Sequence, residues 1–192
     1  GQRVLVHGGA GGVGHVAVQL AKAKGADVYA TGSADSLDFI RSLGATAIDY
    51  QLESPDDYIE RHTAGEGFDI VYDTVGGSTL DASFKAVKAY SGHVVSCLGW
   101  GRHSLAPLSF KGATYSGVFT LMPLLTGKGR GHHGAILRAA AALVDAVRLK
   151  IRVDRHPYQL HEVNEAFRQV EEGRGKGKTV ISMPADRSAA PQ

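Results

Sequence analysis

The stretch Val4-Leu5-Val6-His7-Gly8-Gly9-Ala10-Gly11-Gly12-Val13-Gly14 decides the fold. A short apolar run, of the kind that forms a strand covered on both faces, leads into G-x-G-x-x-G at Gly9, Gly11 and Gly14. A helical pattern opens directly behind it. Val16, Leu20 and Ala23 recur at helical spacing between Gly12 and Lys24, and Gly25 is placed as a C-terminal cap. A glycine pattern alone is a weak signal, but with a strand before it and a helix after it, the pattern fits a dinucleotide. Gly9 permits the tight turn, Gly11 removes the side chain that would block a pyrophosphate, and Gly14 lets helix and strand pack closely. The N–H groups of Gly12 and Val13, with the helix dipole behind them, then face the diphosphate. The bland alternative is a glycine-rich turn that binds nothing, and it leaves this setting unexplained.

Outward from that stretch, apolar runs keep alternating with amphipathic ones. Val28 to Thr31 reads as a second strand, and Leu37, Ile40 and Leu43 as a helix stopped by Gly44. Ala47-Ile48 is a third strand. The next helix has a strong start: Ser54 as N-cap, Pro55 at the first position, then Asp56 and Asp57 at the positive end of the dipole. Phe68 to Asp73 is a fourth strand, Leu80 to Ala89 a helix, Val94 to Leu98 a fifth strand and Tyr115 to Thr120 a sixth. This alternation predicts an α/β fold, a Rossmann doubly wound parallel sheet with helices on both faces. After Leu125 the texture changes. A glycine and Lys/Arg loop (Gly127 to Gly134) precedes an alanine-rich helix, Ala135 to Val147, and a basic strand-like stretch, Leu149 to Asp154. A helix from Glu162 to Glu171 and a strand from Thr179 to Met183 follow, and Pro184 to Gln192 is expected to be disordered.

Composition narrows the function classes. The chain has 192 residues and a formal charge of +2 with its basic residues scattered, so neither nucleic acid nor a membrane surface is expected as partner. No apolar run approaches the ~20 residues of a spanning helix, and no signal-peptide pattern opens the chain. Cys97 is the single cysteine, which excludes an internal disulfide framework and a cysteine-built zinc site, and suits a reducing cytoplasm. The sequence opens without Met and reaches a buried-strand pattern by Val4, so a fragment with a missing N-terminal part is expected.

The choice of cofactor turns on the end of the second strand. An NAD-preferring site places Asp or Glu there to hold the ribose 2′-hydroxyl. Here the residues are Thr31-Gly32-Ser33: no carboxylate repels a 2′-phosphate, and Ser33 can donate to one. Asp35 reads as a first-turn residue complementing the helix dipole. NADP(H) is therefore favoured over NAD(H), although no Lys or Arg stands in this segment before Arg41.

The residues resemble the quinone oxidoreductase branch of the medium-chain dehydrogenase/reductases, which is zinc-type alcohol dehydrogenase-like. The likeness is carried by the opening stretch, Ala17-Val18-Gln19-Leu20-Ala21-Lys22, Ser42-Leu43-Gly44-Ala45 and Phe68-Asp69-Ile70-Val71-Tyr72-Asp73-Thr74-Val75-Gly76-Gly77. Gly92-His93-Val94-Val95-Ser96, Glu165-Ala166-Phe167 and Gly177-Lys178-Thr179-Val180 continue it in family order. The resemblance implies an NADP(H)-binding Rossmann domain over residues 1–130 and a return segment of the catalytic domain over 131–183, with the N-terminal catalytic domain absent. It implies Thr74, Val75 and Gly76 beside the ribose and nicotinamide, Leu98-Gly99 and Val118-Phe119-Thr120 flanking the nicotinamide, and Lys178 reaching towards the pyrophosphate. The implied chemistry is hydride transfer from NADPH to a quinone, enone or similar electrophilic carbonyl substrate, generally without zinc. Members often carry a Lys where this chain has Ser36, a departure that weakens the NADP reading.

Other readings compete with these. A short-chain dehydrogenase needs Lys four residues after a Tyr, and none of the seven tyrosines has one. A methyltransferase normally closes its second strand with an acid. A zinc-dependent alcohol dehydrogenase shares the architecture, with ligands mainly in the absent domain. A non-catalytic NADP-binding module is the rival from another class. His132-His133 reads as a helix start rather than a metal site, since adjacent residues rarely converge on one ion. His7 reads as a hydrogen-bonded structural residue, Asp73 as a loop stabiliser and Cys97 as packing in a buried strand. The face left by the absent domain would favour a homodimer.

Overall fold

The computed structural model describes residues 1–183, so the tail expected to be disordered, 184–192, lies outside the described residues. The chain forms two compact units that divide between Lys150 and Ile151. In the first, β1 (Arg3–His7), α1 (Gly14–Ala23), β2 (Asp27–Gly32), α2 (Leu37–Ser42), β3 (Thr46–Asp49) and α3 (Pro55–Thr63) follow one another. Then come β4 (Ile70–Asp73), α4 (Ser78–Ala86), β5 (His93–Ser96), α5 (Ala106–Lys111), β6 (Thr114–Gly117), α6 (Leu121–Thr126) and α7 (Arg130–Asp145).

The six strands pair in the order β3-β2-β1-β4-β5-β6, every pairing parallel. This is the doubly wound Rossmann sheet, with its order reversing about β1. Alternation along β1 assigns the two cores. Leu5 packs with Ile48, Phe68, Val71, Phe84 and Val94, while Val4 and Val6 pack with Val18, Val28, Ala30 and Ile40. The start of α3 matches its signals: Ser54 accepts from the Asp57 N–H at 3.3 Å, and Asp57 accepts from the Ser54 N–H at 2.9 Å.

Several local readings are corrected. The fourth strand begins at Ile70, with Phe68 making a separate bridge to Val87. The sixth ends at Gly117, because the backbone turns at Val118-Phe119-Thr120 into α6. Helices α5 and α6 carry no long apolar periodicity and add to the elements expected from sequence; Pro107 in the first turn of α5 is the available start signal. Cys97 lies just past β5, partly buried, rather than inside a buried strand.

The second unit holds β7 (Tyr158–Gln159), α8 (Val163–Glu171) and β8 (Ile181–Ser182), with β7 and β8 parallel. Leu149 to Asp154 is not a strand; only Val153 bridges, to Lys178. Asp154 ends that pairing by accepting from the His156 N–H at 3.1 Å and the Lys176 N–H at 3.0 Å, which turns the chain away.

Candidate functional site

At the carboxyl edge of the sheet, the end of β2 and the segments leaving β1, β2, β4, β5 and β6 carry every site residue expected from the first unit. In open α/β sheets this edge, at the strand where the order reverses, is where ligands bind.

The segment after β1 is held by backbone. The Gly9 N–H donates to the Thr31 carbonyl at 2.9 Å, and the Gly11 N–H turns back to the Gly8 carbonyl at 2.9 Å. A Cβ on Gly9 would stand 2.5 Å from the Ala30 Cβ, and one on Gly14 would stand 2.0 Å from the Gly8 carbonyl oxygen. These two glycines are demanded by the packing of loop against strand. Gly11 differs, because its Cβ would meet only the Gly8 oxygen, at 3.2 Å, and it is exposed. The first bonds of the helix run from His15 to Gly11 and from Ala17 to Val13, so the Gly12 and Val13 N–H groups have no helical acceptor. An open cradle whose amides have no helical acceptor fits a diphosphate.

At the root of this loop His7 is buried, with Nδ1 3.3 Å from the Thr31 hydroxyl oxygen, which also accepts from the Gly8 N–H at 3.2 Å. The Thr74 hydroxyl donates to the His7 carbonyl at 2.7 Å, tying the ends of β1 and β4. The expectation of a hydrogen-bonded His7 holds for one ring nitrogen only. Nε2 is buried and has no hydrogen-bond partner among the described residues. Burial lowers the imidazole pKa to about 4, with nearby Asp73 pulling weakly the other way. A cavity of about 550 Å³ opens beside it, lined by His7, Thr31, Tyr50, Tyr58, Val75 and Ser78 among others. Tyr50 was missed in the sequence, yet it directly follows β3, and the carboxyl-edge rule points to it.

After β4 the loop is organised by Asp73. Its buried carboxylate accepts from the Val75 N–H at 3.1 Å, the Gly76 N–H at 2.9 Å and the Ser96 hydroxyl at 2.7 Å. Asp73 is thus the loop stabiliser. Gly76 has φ +79°, and a Cβ there would stand 2.6 Å from the Leu98 carbonyl oxygen, so Thr74-Val75-Gly76 and Leu98-Gly99 lie close together. The Val118 N–H donates to the Ser96 carbonyl at 2.8 Å, which brings Val118-Phe119-Thr120 to the same edge. There Phe119 packs edge-on against Trp100, ring centroids 5.5 Å apart, an exposed aromatic pair that the sequence reading did not single out. Lys178 belongs to the second unit, where its N–H donates to the Arg152 carbonyl at 2.8 Å.

After β2 the arrangement departs from expectation. The Ser33 hydroxyl, expected as a donor to a 2′-phosphate, donates to the Asp35 carboxylate at 2.5 Å. The Ser36 hydroxyl folds back onto the Ser33 carbonyl at 2.8 Å and lies over Gly32. Asp35 stands in a single 3₁₀ turn, Ala34–Ser36, ahead of α2.

Comparison with known proteins agrees with this architecture. The family described as zinc-binding dehydrogenase matches residues 43–181. The mouse NAD(P)H oxidoreductase RTN4IP1, mitochondrial, is 34% identical over 95% of this chain and 48% of its own length. The crystal structure of an alcohol dehydrogenase superfamily protein from Novosphingobium aromaticivorans is 54% identical with a TM-score of 0.92, over 96% of this chain and 56% of that one. A quinone oxidoreductase from Coxiella burnetii is 30% identical with a TM-score of 0.75, over 94% of this chain and 52% of that one. The chain therefore spans about half the length of the RTN4IP1 relatives, and 4% to 8% of the much longer polyketide and mycoketide synthases that it also matches. By the match across most of its length, the chain belongs to the zinc-binding dehydrogenase family of the medium-chain dehydrogenase/reductase superfamily.

Proposed function

We propose that this chain is the nicotinamide-dinucleotide-binding half of an oxidoreductase that passes hydride between NAD(P)H and a quinone, enone or similar electrophilic carbonyl compound. The observation that carries the reading is the open glycine cradle at the point where the sheet order reverses, with the segments after β4, β5 and β6 beside it. In this reading the Gly12 and Val13 N–H groups hold the pyrophosphate, and Gly11 leaves room for it. Thr74, Val75 and Gly76 flank the ribose and nicotinamide. Leu98-Gly99 and Val118-Phe119-Thr120 wall the nicotinamide. The bound dinucleotide would supply the hydride, and the residues named here bind, orient and shield it from water.

The acceptor is bound by the rest of the parent protein, so this chain alone binds cofactor weakly and turns over little. A homodimer in a reducing, cytoplasmic setting remains part of the proposal, and no helix among the described residues is long and apolar enough to cross a membrane. The family description names zinc. The single cysteine, Cys97, donates to the Asp73 carbonyl at 3.8 Å, and among the described residues no three His, Cys, Asp or Glu side chains converge. The described residues of this chain do not fit a zinc site.

Titration of the 192-residue chain with NADH and NADPH tests the reading. Gly11→Asp puts bulk and negative charge against the diphosphate and should weaken both dinucleotides at least ~100-fold, about 3 kcal/mol, with stability almost unchanged. Unchanged affinity would sink the site. A parent protein that binds the cofactor yet oxidises none across a panel of quinones and enones would make this a redox-silent module.

A further inference from the structure

We propose that Asp35 makes this site select NAD(H) over NADP(H), an inference that rests on the dinucleotide reading above and reverses the preference drawn from sequence. A site for the 2′-phosphate at the end of β2 needs donors and a cation. The donors are engaged elsewhere. The Ser33 hydroxyl is bonded to the Asp35 carboxylate at 2.5 Å, which places an anion beside the group that would have met the phosphate. The Ser36 hydroxyl is turned onto the Ser33 carbonyl at 2.8 Å. Ser36 also stands over Gly32, where a Cβ would be 2.4 Å from its Oγ, so the turn is closed on itself.

The wider corner carries the same sign. No Lys or Arg occurs in residues 25–40 or 45–60, whereas Asp35, Asp38, Asp49, Glu53, Asp56 and Asp57 all do. The two arginines that border these segments are paired, Arg41 with Asp38 at 2.7 Å and Arg61 with Glu53 at 2.9 Å. A 2′-phosphate carries close to two negative charges at neutral pH, and it would enter a corner where the Ser33 hydroxyl is already bonded to a carboxylate. A ribose 2′-hydroxyl behaves oppositely. It is a donor, and a carboxylate has lone pairs for several donors. The same Asp35 that repels NADP(H) therefore holds NAD(H).

The test is a pair of titrations of the 192-residue chain, with NADH and with NADPH, followed by nicotinamide fluorescence, and with ADP-ribose as a probe lacking the nicotinamide. NADH should bind at least about tenfold more tightly, with the gap narrowing as salt rises. Asp35→Asn should close the gap to about threefold or less, chiefly by tightening NADPH, and Ser36→Lys should tighten NADPH on its own. Equal or tighter NADPH binding by the unsubstituted chain overturns the inference and leaves the dinucleotide reading standing. So does an Asp35→Asn variant with an unchanged ratio. Failure of NADH, NADPH and ADP-ribose alike overturns the dinucleotide reading and the inference with it.

Discussion

The loop after β1 and the turn after β2 lie side by side at the carboxyl edge and are built on different principles. In the first, glycine positions are fixed by backbone: Gly14 faces the Gly8 carbonyl and Gly9 is bonded to the Thr31 carbonyl at 2.9 Å. In the second, conformation is fixed by three short side chains, Ser33, Asp35 and Ser36, bonding to one another and to their own backbone. A backbone-built loop presents the same surface whatever its neighbours are. A turn built from side chains presents whatever those side chains happen to leave over. The common part of a dinucleotide, its diphosphate, falls to the first, and the part that distinguishes one dinucleotide from another falls to the second.

The largest effect expected from this contrast is at Gly14. An added Cβ would stand 2.0 Å from a backbone oxygen and 2.7 Å from its carbon, and neither can swing away. Relief requires α1 to move off β1, so Gly14→Ala should cost about 3 kcal/mol or more of stability and abolish dinucleotide binding. Denaturant unfolding alongside NADH titration checks it. A stable variant that binds normally would mean the loop is not backbone-locked.

The next effect is a pH dependence confined to the root of the backbone-built loop. In the unfolded chain the His7 imidazole takes a proton near its ordinary 6.5, and in the folded chain only near 4, because burial disfavours the charged ring. Between those values the unfolded state binds more protons, so stability rises with pH and is lost as pH falls through the window. The full loss is about 3 kcal/mol, reached below pH 4. His7→Leu removes this titration. From pH 7 to pH 4.5 the unsubstituted chain should therefore lose about 2 kcal/mol more than the variant, measured by denaturant unfolding at both pH values. Equal losses would show that His7 is not held neutral by the fold.

The same contrast explains what could be read from sequence. The parallel sheet and the glycine cradle follow from periodicity and from residues whose role is conformational, such as Gly9, Gly14, Ser54 and Pro55. These act through their own backbone, so identity and position suffice. Ser33 and Asp35 could not be read that way. Two residues apart, they were assigned to a phosphate and to a helix dipole, and only side-chain directions show that they bond to each other. Short elements were hidden for a different reason. The helices Ala106–Lys111 and Leu121–Thr126 have only six residues each, too few for a period to show, and β7 and β8 have two. The orphaned Nε2 of His7 is likewise a fact of packing, set by residues distant in the chain.

The smallest effect is expected at Gly32, and it is the sharper test of the contrast because its geometry looks equally severe. A Cβ there would stand 2.4 Å from the Ser36 Oγ and 2.6 Å from the Ile40 Cδ1. Both are side-chain ends, and the Ser36 hydroxyl can leave the Ser33 carbonyl by one rotation about χ1. Gly32→Ala should then cost about 1 kcal/mol, a fraction of the Gly14→Ala cost despite comparable clashes. Because the turn reopens without the loop moving, the NADH to NADPH affinity ratio should change while ADP-ribose binding stays within about threefold. If Gly32→Ala instead unfolds the chain as Gly14→Ala does, the turn after β2 is as rigid as the loop after β1. Selectivity would then have to reside in the charge of Asp35 alone, and not in how the turn is closed.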